Sequence, residues 1–551
     1  MKAHTNGFTR HRARLLVGIA IAGVAPFAIA TSITPVLAAT IVVNDTSDSP
    51  RDNSAPGGVC QSKIGVGSCT LRAAVETANK MGSPVVIQLA AATYHLTIPS
   101  DIKNITGRKG ALQLDGDITI SGQGSGNTTI MADKAANDRV MRIGRGSTNG
   151  CTTQGGAPTS NAKPCPKTSP SNSVDLVGLT ITGGVTQAPS SATGDSLDWA
   201  AGGGIEDVSI GTVTLDDVVV TANKAVECGS TEGCFFLGSR GGGVSVNLPL
   251  NSSFGATAGH LVVVDSAITN NSADFGGGGL QNLGTATVTN STISGNSVTD
   301  TASQNVGIES YNGGAILNGG SEVLPVLNLT NVTISGNTSL QGGGGLASQF
   351  SVVSLQNVTF DGNSAIDGAN IYAADTTTKG AKRPIGSIRV NNTIVGSAIG
   401  GSSCFTEGQN EIKSFGWNLD KAHSCGFTNS GDQQDVASPG LDTGLKANGG
   451  LTETIALLKG SPAIDKAELG TCPSTDQRHV SRPQGAGCDI GAYEYVPVTT
   501  STGGQQGVPT VPKAGVGYAG TVQRGLQFPV VVMAALVLLF AATWLPVRRQ
   551  G

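Results

Sequence analysis

A nine-residue segment that alternates apolar and polar residues recurs along this chain and constrains its fold more than any other feature. Each copy ends on an asparagine and is accompanied by a glycine cluster with one aliphatic residue. Repetition at intervals of tens of residues predicts a stacked solenoid and not a globular core. The copies are Leu215–Asn223, Val263–Asn271, Val288–Asn296, Leu329–Asn337 and Leu355–Asn363, and the clusters are Gly202–Ile205, Gly241–Val244, Gly276–Leu280, Gly313–Ile316 and Gly342–Leu346.

The spacing of the closing asparagines indicates the size of one repeat. Asn223, Asn271, Asn296, Asn337 and Asn363 are 48, 25, 41 and 26 residues apart, so we interpret the longer intervals as units with inserted loops. Alternation with period two requires strands, and about 25 residues accommodate three short strands with their turns. We therefore predict an all-β fold, a single-stranded right-handed parallel β-helix with an N-terminal helical cap and a C-terminal capping domain.

The composition agrees with a narrow coil that turns often. The chain has 79 glycines in 551 residues, while aromatic residues are 4% and charged residues 13%. Glycine reaches positive φ without steric cost, and asparagine tolerates it better than most residues. A net charge of −4 without a basic patch argues against nucleic acid as a partner.

A second polar column stands six residues before each closing asparagine. It contains Asp217, Asp265, Asn290, Asn331 and Asn357, and a less regular copy offers Asn391. Stacked rungs lie about 4.8 Å apart, so we expect these side chains to form a hydrogen-bonded ladder along the axis. The alternative makes Asp217 and Asp265 a carboxylate pair for calcium binding or acid–base work.

The two ends predict export and anchoring. Arg10, Arg12 and Arg14, the apolar run Leu15–Ala30 and the small residues Val36–Ala38 have the pattern of a secretory signal peptide, with an uncleaved helix as the alternative. Near the C-terminus, 20 uncharged residues precede Arg548 and Arg549, which predicts a membrane-spanning anchor and a surface localisation for the exported body. We assign residues 1–39 to the signal peptide, 40–100 to the N-terminal cap, 101–400 to the β-helix, 401–496 to the C-terminal domain, 497–527 to a linker, 528–547 to the anchor and 548–551 to a cytoplasmic basic tail.

The ten cysteines fall as five pairs of near neighbours, which export would turn into disulfides. We expect them to pin loops, without deducing their connectivity: Cys60 and Cys69, Cys151 and Cys165, Cys228 and Cys234, Cys404 and Cys425, Cys472 and Cys488. The histidines of the mature part, His95, His260, His423 and His479, are scattered, so we predict no zinc site and no cofactor.

Several segments resemble those of known bacterial surface proteins. Cys69–Ala74 is similar to the Cys-Ser-Leu-Arg-Glu-Ala motif at the start of surface β-helix proteins, with Thr70 for Ser and Ala73 for Glu, a change that removes a possible partner of Arg72. Independently of this resemblance, Leu71, Ala74, Val75 and Ala78 share one face of a helical pattern that Gly82 ends, and we predict that this helix is a lid over the first rung. Val511–Gly515 resembles the sorting signal of sortase-anchored wall proteins, although only Pro512 and Gly515 match.

A longer resemblance covers the stretch from Trp417 to Tyr493, which is similar to the choice-of-anchor Q domain. The matching segments are Pro439–Leu441, Asn448–Gly450, Gly460–Asp465, Asp476–Arg478, Arg482–Pro483 and Cys488–Glu494. The pairs Gly313–Ile316 and Phe360–Asn363 also resemble the repeats of polymorphic outer-membrane adhesins. These resemblances imply a surface-anchored β-helix protein and no specific activity.

Candidates for chemistry are few. Asp216 and Asp217 are adjacent, but neighbouring residues of a strand face opposite ways, so we do not expect both to line one groove. We interpret a charged cluster in the C-terminal domain as an ion-pair network or, alternatively, as a ligand site. It consists of Asp476, Arg478, Arg482, Asp489 and Glu494. Trp199, Trp417 and Tyr94 could stack on sugars but are isolated.

We therefore predict a non-catalytic surface protein, a monomeric rod without assigned catalytic, cofactor-binding or metal-binding residues. Loops on a rigid scaffold are common binding elements, so Ser297–Tyr311 and Asn247–His260 are candidates for contact with surface glycans or proteins of a host or neighbouring cell. The rival hypothesis is a polysaccharide lyase or glycoside hydrolase that uses the lateral carboxylates.

Overall fold

A computed structural model describes most of the chain between residues 38 and 497. The described ranges are 38–82, 84–100, 109–144, 172–187, 201–226, 240–247, 259–299, 313–319, 324–374, 386–408 and 410–497. Several predicted features lie outside the described residues: nearly all of the signal peptide, Trp199, the pairs Cys151 with Cys165 and Cys228 with Cys234, most of both candidate binding loops, the linker with Val511–Gly515, the anchor and the basic tail.

The described residues contain one helix and 31 strands. The helix α1 spans Leu71–Met81. The strands are β1 (Ala39–Val42), β2 (Val85–Gln88), β3 (Thr93–Leu96), β4 (Leu112–Leu114), β5 (Ile118–Ser121), β6 (Thr129–Ala132), β7 (Met141–Ile143), β8 (Val174–Thr182), β9 (Val185–Gln187), β10 (Ile205–Asp207), β11 (Thr212–Thr221), β12 (Lys224–Val226), β13 (Val244–Val246), β14 (His260–Val264), β15 (Ala267–Thr269), β16 (Ser272–Ala273), β17 (Leu280–Asn282), β18 (Thr285–Ser294), β19 (Ser297–Val298), β20 (Ile316–Gly319), β21 (Val326–Ser335), β22 (Leu346–Gln349), β23 (Val352–Asp361), β24 (Asn363–Ala365), β25 (Ile371–Ala374), β26 (Ser387–Asn391), β27 (Ile394–Val395), β28 (Ala398–Gly400), β29 (Cys404–Glu407), β30 (Glu411–Ser414) and β31 (Leu419–Asp420).

The strands wind as a parallel β-helix, which confirms the predicted fold class. Every ladder between named strands is parallel, and successive rungs pair in order along three stacks. The main stack, sheet A, follows β1-β2-β5-β8-β11-β14-β18-β21-β23-β26-β30, and a second stack, sheet B, follows β4-β7-β10-β13-β17-β20-β22-β25-β29. Inward residues such as Leu215, Val263 and Val288 are fully buried and form one continuous apolar core.

The glycine clusters serve two different purposes. In the cluster Gly202–Ile205, the first glycine takes a positive φ of 65°. The next glycine has no such need, because its role is close approach between rungs. A Cβ on Gly203 would lie 2.5 Å from the carbonyl oxygen of Gly242 and 2.6 Å from that of Lys224. The ability of glycine to take positive φ, which we predict from the sequence as the reason for the clusters, therefore explains only some of these glycines.

The single helix follows the first strand and contacts β2 and β4. Thr70 is its N-cap and accepts a hydrogen bond from the amide of Ala73, and Gly82 ends it in the left-handed region. Arg72 is fully buried and pairs with Asp48 through two bonds of 2.6 and 3.0 Å. The carboxylate that this arginine needs thus comes from the loop before the helix, and not from position 73. The role of α1 as a lid stays a prediction.

The C-terminal segment lies along the side of the coil, whereas we expect a cap at the end of the coil from the sequence. The coil continues through β30 and β31 and the buried Phe427. Residues 436–497, which we name the strap, then return over earlier rungs. The side chain of Asn331 donates to the carbonyl of Thr475 at 2.9 Å, and that of Asn357 donates to the carbonyl of Asp489 at 3.2 Å. The strap therefore spans several rungs of sheet A.

Three disulfides join the expected neighbours within the described residues. They are Cys60–Cys69, Cys404–Cys425 and Cys472–Cys488. The pairing of near neighbours is confirmed for these six cysteines. Each bridge closes a short loop, with sequence separations of 9, 21 and 16 residues.

The predicted anchored localisation is contradicted. Across the described ranges, no helix is long and apolar enough to cross a membrane, and α1 has only 11 residues. Residues 528–547, the predicted transmembrane anchor, lie outside the described part of the chain. We therefore do not retain the surface body held by a C-terminal membrane helix.

Candidate functional site

The second polar column forms a sharp bend in the long strands of sheet A. Asp217, Asp265, Asn290, Asn331 and Asn357 all take positive φ, between 49° and 53°. The sixth position at this bend is Asn392, with φ 48°, and not the predicted Asn391. Asparagine and aspartate tolerate this region better than other residues with a Cβ. The residue type in this column is therefore determined mainly by the backbone conformation at the bend.

The bend changes which side chains face solvent. In β11, Leu215 and Val218 are buried, while Asp216 is exposed and Asp217 is half-buried. The left-handed residue interrupts the strand alternation, so two consecutive side chains point away from the core. The expectation that Asp216 and Asp217 face opposite ways is wrong for this physical reason.

The expected polar ladder is incomplete in the bend column. Asn331 donates to Asn290 at 3.2 Å and Asn392 donates to Asn357 at 3.4 Å, but other members bond elsewhere. A continuous ladder occurs in the closing column instead. Along it, each side-chain amide donates to the next side-chain carbonyl at 2.9–3.0 Å, in the order Asn223, Asn271, Asn296, Asn337 and Asn363. Asn363 in turn donates at 2.8 Å to Asn370, which lies outside the column. These asparagines are 0–1% exposed.

Four carboxylates gather on the outer surface of sheet A at its fourth to sixth strands, β8, β11 and β14. Asp175 and Asp216 lie on neighbouring strands, while Asp217 and Asp265 occupy the bends of β11 and the following rung. Although the Asp216 side chain is exposed, partial desolvation by neighbouring atoms raises its pKa, and the negative charges of Asp265, Asp217 and Asp175 raise it further. We name these four residues the acidic patch. A carboxyl with a raised pKa beside ionised carboxylates can act as a proton donor.

Two members of the acidic patch are engaged by other parts of the chain. Asp217 accepts a hydrogen bond from the Ser125 hydroxyl at 2.7 Å. Asp265 pairs with Nε2 of His479 at 2.8 Å, although the two residues are 214 positions apart. His479 belongs to the strap, so sequence spacing could not bring it to the patch. In the part of the chain that the structure describes, no group of three His, Cys, Asp or Glu side chains has a metal-binding arrangement.

The charged cluster of the C-terminal segment is drawn into a buried network. Asp476 pairs with Arg478 at 2.6 Å, and Arg482 pairs with Glu494 at 3.3 Å. Burial raises the pKa of Asp489 to about 7 against the lowering effect of backbone donors from Tyr495 and Asp465. Asp476, Asp489 and Glu494 are 0–1% exposed, so their main contacts are within the strap.

The remaining candidates are separate from the acidic patch. Tyr94 is buried, and its hydroxyl accepts a hydrogen bond from the amide of Ala90. Trp417 packs its ring against Gly431. His95 pairs with Asp133 and His423 with Asp435, and the partner carboxylate raises the pKa of His423. His260 lies 3.3 Å from the Thr287 hydroxyl on the open surface of sheet A.

Comparisons with known proteins give no family. No family model matches the chain, and no curated protein matches it. A match among solved structures is the crystal structure of pectate lyase Pel9A, with a TM-score of 0.37 and 12% identity. This match covers 83% of the present chain and 97% of the other chain.

Proposed function

We propose that this chain is an exported, non-catalytic β-helix protein that acts as a binding or structural scaffold. Its disulfides within the described residues are typical of an oxidising compartment. Its partners are, in this proposal, glycans or proteins of a surface that the coil contacts. No cofactor is part of the proposal.

The observation that carries the proposal is the bonding of the strap along the side of the coil. Gln477 is 1% exposed and its side chain bonds Thr292 at 2.9 Å and Thr333 at 2.6 Å, on two neighbouring rungs. Asn331 and Asn357 bond strap carbonyls on the same side. The polar side chains of these bends therefore stabilise the structure, which leaves them unavailable to a substrate.

Binding and turnover separate the proposal from its rival. The purified chain is screened against a glycan array and a panel of extracellular proteins, and incubated with acidic and neutral polysaccharides. We expect saturable binding to at least one class and no release of shortened products. Absence of all binding would count against a scaffold for glycans or proteins.

A polysaccharide-cleaving enzyme is the second candidate, because Asp216 has a raised pKa among three other carboxylates. That function requires product release that Asp216→Asn and Asp265→Asn abolish. Asp133→Asn is the matched control, since Asp133 also pairs with a histidine at 2.8 Å but lies outside the patch. Cleavage lost in the two patch variants and kept in the control would replace our proposal.

A further inference from the structure

From β8 to β30, the first halves of the sheet A strands form an outward surface beside the strap. One register column crosses it from Asp175 on β8 to Arg389 on β26 and Lys413 on β30. Between these ends the column holds Thr214, Val262, Thr287, Asn328 and Ser354, all partly exposed. We name this surface, with its neighbouring outward columns, the flat face.

Charge is distributed unequally along the flat face. The acidic patch lies at one end, and Arg389 and Lys413 lie at the other. Among the described residues, Asp216, Arg389 and Lys413 have no ion-pair partner; the two cations instead lie 5.6 and 6.0 Å from the ring of Phe415. Phe415 is 46% exposed. Each end thus presents charge that the molecule itself leaves unpaired.

We propose that the flat face binds the flat face of a second copy of this chain, with the two coil axes antiparallel, in place of the monomer predicted from the sequence. The flat face comprises the eight strands from β8 to β30 of sheet A and has its midpoint between β18 and β21, while β5, β2 and β1 continue the sheet beyond β8. A two-fold axis parallel to the strands at that midpoint brings β8 opposite β30 and β11 opposite β26. Parallel coils would instead place acid on acid and base on base.

The register gives specific contacts for this dimer. Asp175 faces Lys413 of the second copy, and Asp216 lies one column from its Arg389. Phe415, two residues after Lys413, faces Val177, which pairs with Asp216 in register. In the centre, Thr287 faces Asn328, so short side chains allow two flat sheets to approach to about 10 Å.

The size of the flat face predicts a weak and reversible dimer. Eight strands at about 4.8 Å spacing span about 34 Å, and three outward columns add a width of about 15 Å. Each copy would bury about 500 Å², close to the lower bound for a specific interface. Opposite charges at both ends then select the antiparallel arrangement and make the association sensitive to salt.

The test is sedimentation velocity of the full chain over a range of concentration and salt. We expect a monomer–dimer equilibrium at low salt that shifts to monomer as salt increases. Arg389→Glu with Lys413→Glu should raise the dissociation constant at least tenfold, as should Asp175→Lys with Asp216→Lys. Mixing the two double variants should restore dimers, which also shows that both are folded.

Two further variants sharpen the test. Lys224→Glu makes the same kind of charge change on an exposed lysine of β12, away from the flat face, and should leave the dissociation constant unchanged. Glu411→Lys removes the exposed carboxylate at the basic end and should tighten the dimer. A wild-type chain that stays monomeric at low salt, or an association that the double variants leave unchanged, would overturn the proposal.

Discussion

Two columns of asparagine and aspartate run along the same coil, six residues apart, and perform opposite tasks. The closing column points inward and forms a buried ladder, in which Asn296 accepts from Asn271 and donates to Asn337 at 3.0 Å each. The bend column takes positive φ and points outward to solvent or to the strap. The same residue type is therefore selected in one column for its amide and in the other for its backbone tolerance.

This difference teaches that a repeated polar residue is not by itself a candidate for catalysis. In the closing column, the side-chain carbonyl of Asn296 also accepts from the backbone amide of Asn271, as a main-chain group would. Burial makes every one of these bonds costly to lose. In the bend column, the side chain is released from the interior and can take any outward partner.

The largest effect is expected in the closing column. Asn296→Ala removes four side-chain bonds, two from Asn271 and one each to Ile268 and Asn337. At about 1 kcal/mol for each bond, we expect the free energy of unfolding to fall by about 3 to 4 kcal/mol. Urea denaturation followed by circular dichroism measures it. A loss below about 1 kcal/mol would show that the ladder is dispensable.

Asp207, a buried carboxyl in β10, tests whether the interior of the coil requires uncharged side chains. Burial raises the pKa of Asp207 to about 6, and its Oδ2 has no hydrogen-bond partner in the described structure. Since the pKa of Asp207 in the folded chain lies above its ordinary value of 3.8, the free energy of unfolding is greatest below pH 3.8 and falls as the pH rises through 6. Asp207→Asn should remove this slope and stabilise the chain at pH 8 by about 2 to 3 kcal/mol.

Denaturation of wild type and Asp207→Asn at several pH values between 4 and 8 gives the comparison. The isosteric amide keeps an acceptor for the bonds from Ser209. Parallel pH profiles for the two proteins would contradict the assignment of a buried, uncompensated charge.

The bend column should respond to backbone conformation more than to hydrogen bonding. Asn290 has φ 51°, so Asn290→Ala should cost about 1 to 2 kcal/mol, and Asn290→Gly should be more stable than the alanine variant. At position 296 the glycine variant should be less stable than the alanine variant, because glycine there only increases the conformational entropy of the unfolded chain. The free energies of unfolding of the alanine and glycine variants at positions 290 and 296 test this prediction. If glycine and alanine had the same order of stability at both positions, the distinction between the columns would be wrong.

The smallest effect is expected where the strap meets the acidic patch. His479 is 48% exposed and Asp265 16%, so the pair is partly solvated and His479→Ala should cost less than about 1 kcal/mol. Gln477→Ala, two residues earlier, removes buried bonds to Thr292 and Thr333 and should cost clearly more. Equal losses in the two variants would mean that the exposed contact holds the strap as firmly as the buried one.

The sequence predicted the coil well because its signal is local. Strand alternation, the glycine clusters and the closing asparagines each repeat within one rung, and rungs stack in chain order. The neighbouring cysteines also pair as expected. These features need only period and spacing, which are visible in a single sequence.

The site was predicted less well because its contacts are long-range or depend on one dihedral angle. The positive φ of Asp217 turns Asp216 and Asp217 to the same side, and alternation alone cannot show this. His479 reaches Asp265 across 214 positions, and nothing in either segment marks the pair. Gln477 lies in the segment Asp476–Arg478, which resembles part of the choice-of-anchor Q domain, yet its partners on the coil follow only from the position of the strap.

Hydrogen–deuterium exchange of wild type and Asn296→Ala tests most directly whether the closing column is one continuous interior ladder. If it is, amides of the rungs on both sides, including residues 260–271 and 326–337, should lose protection together with residues 285–296. Faster exchange confined to residues 285–296, with unchanged neighbours, would contradict the account.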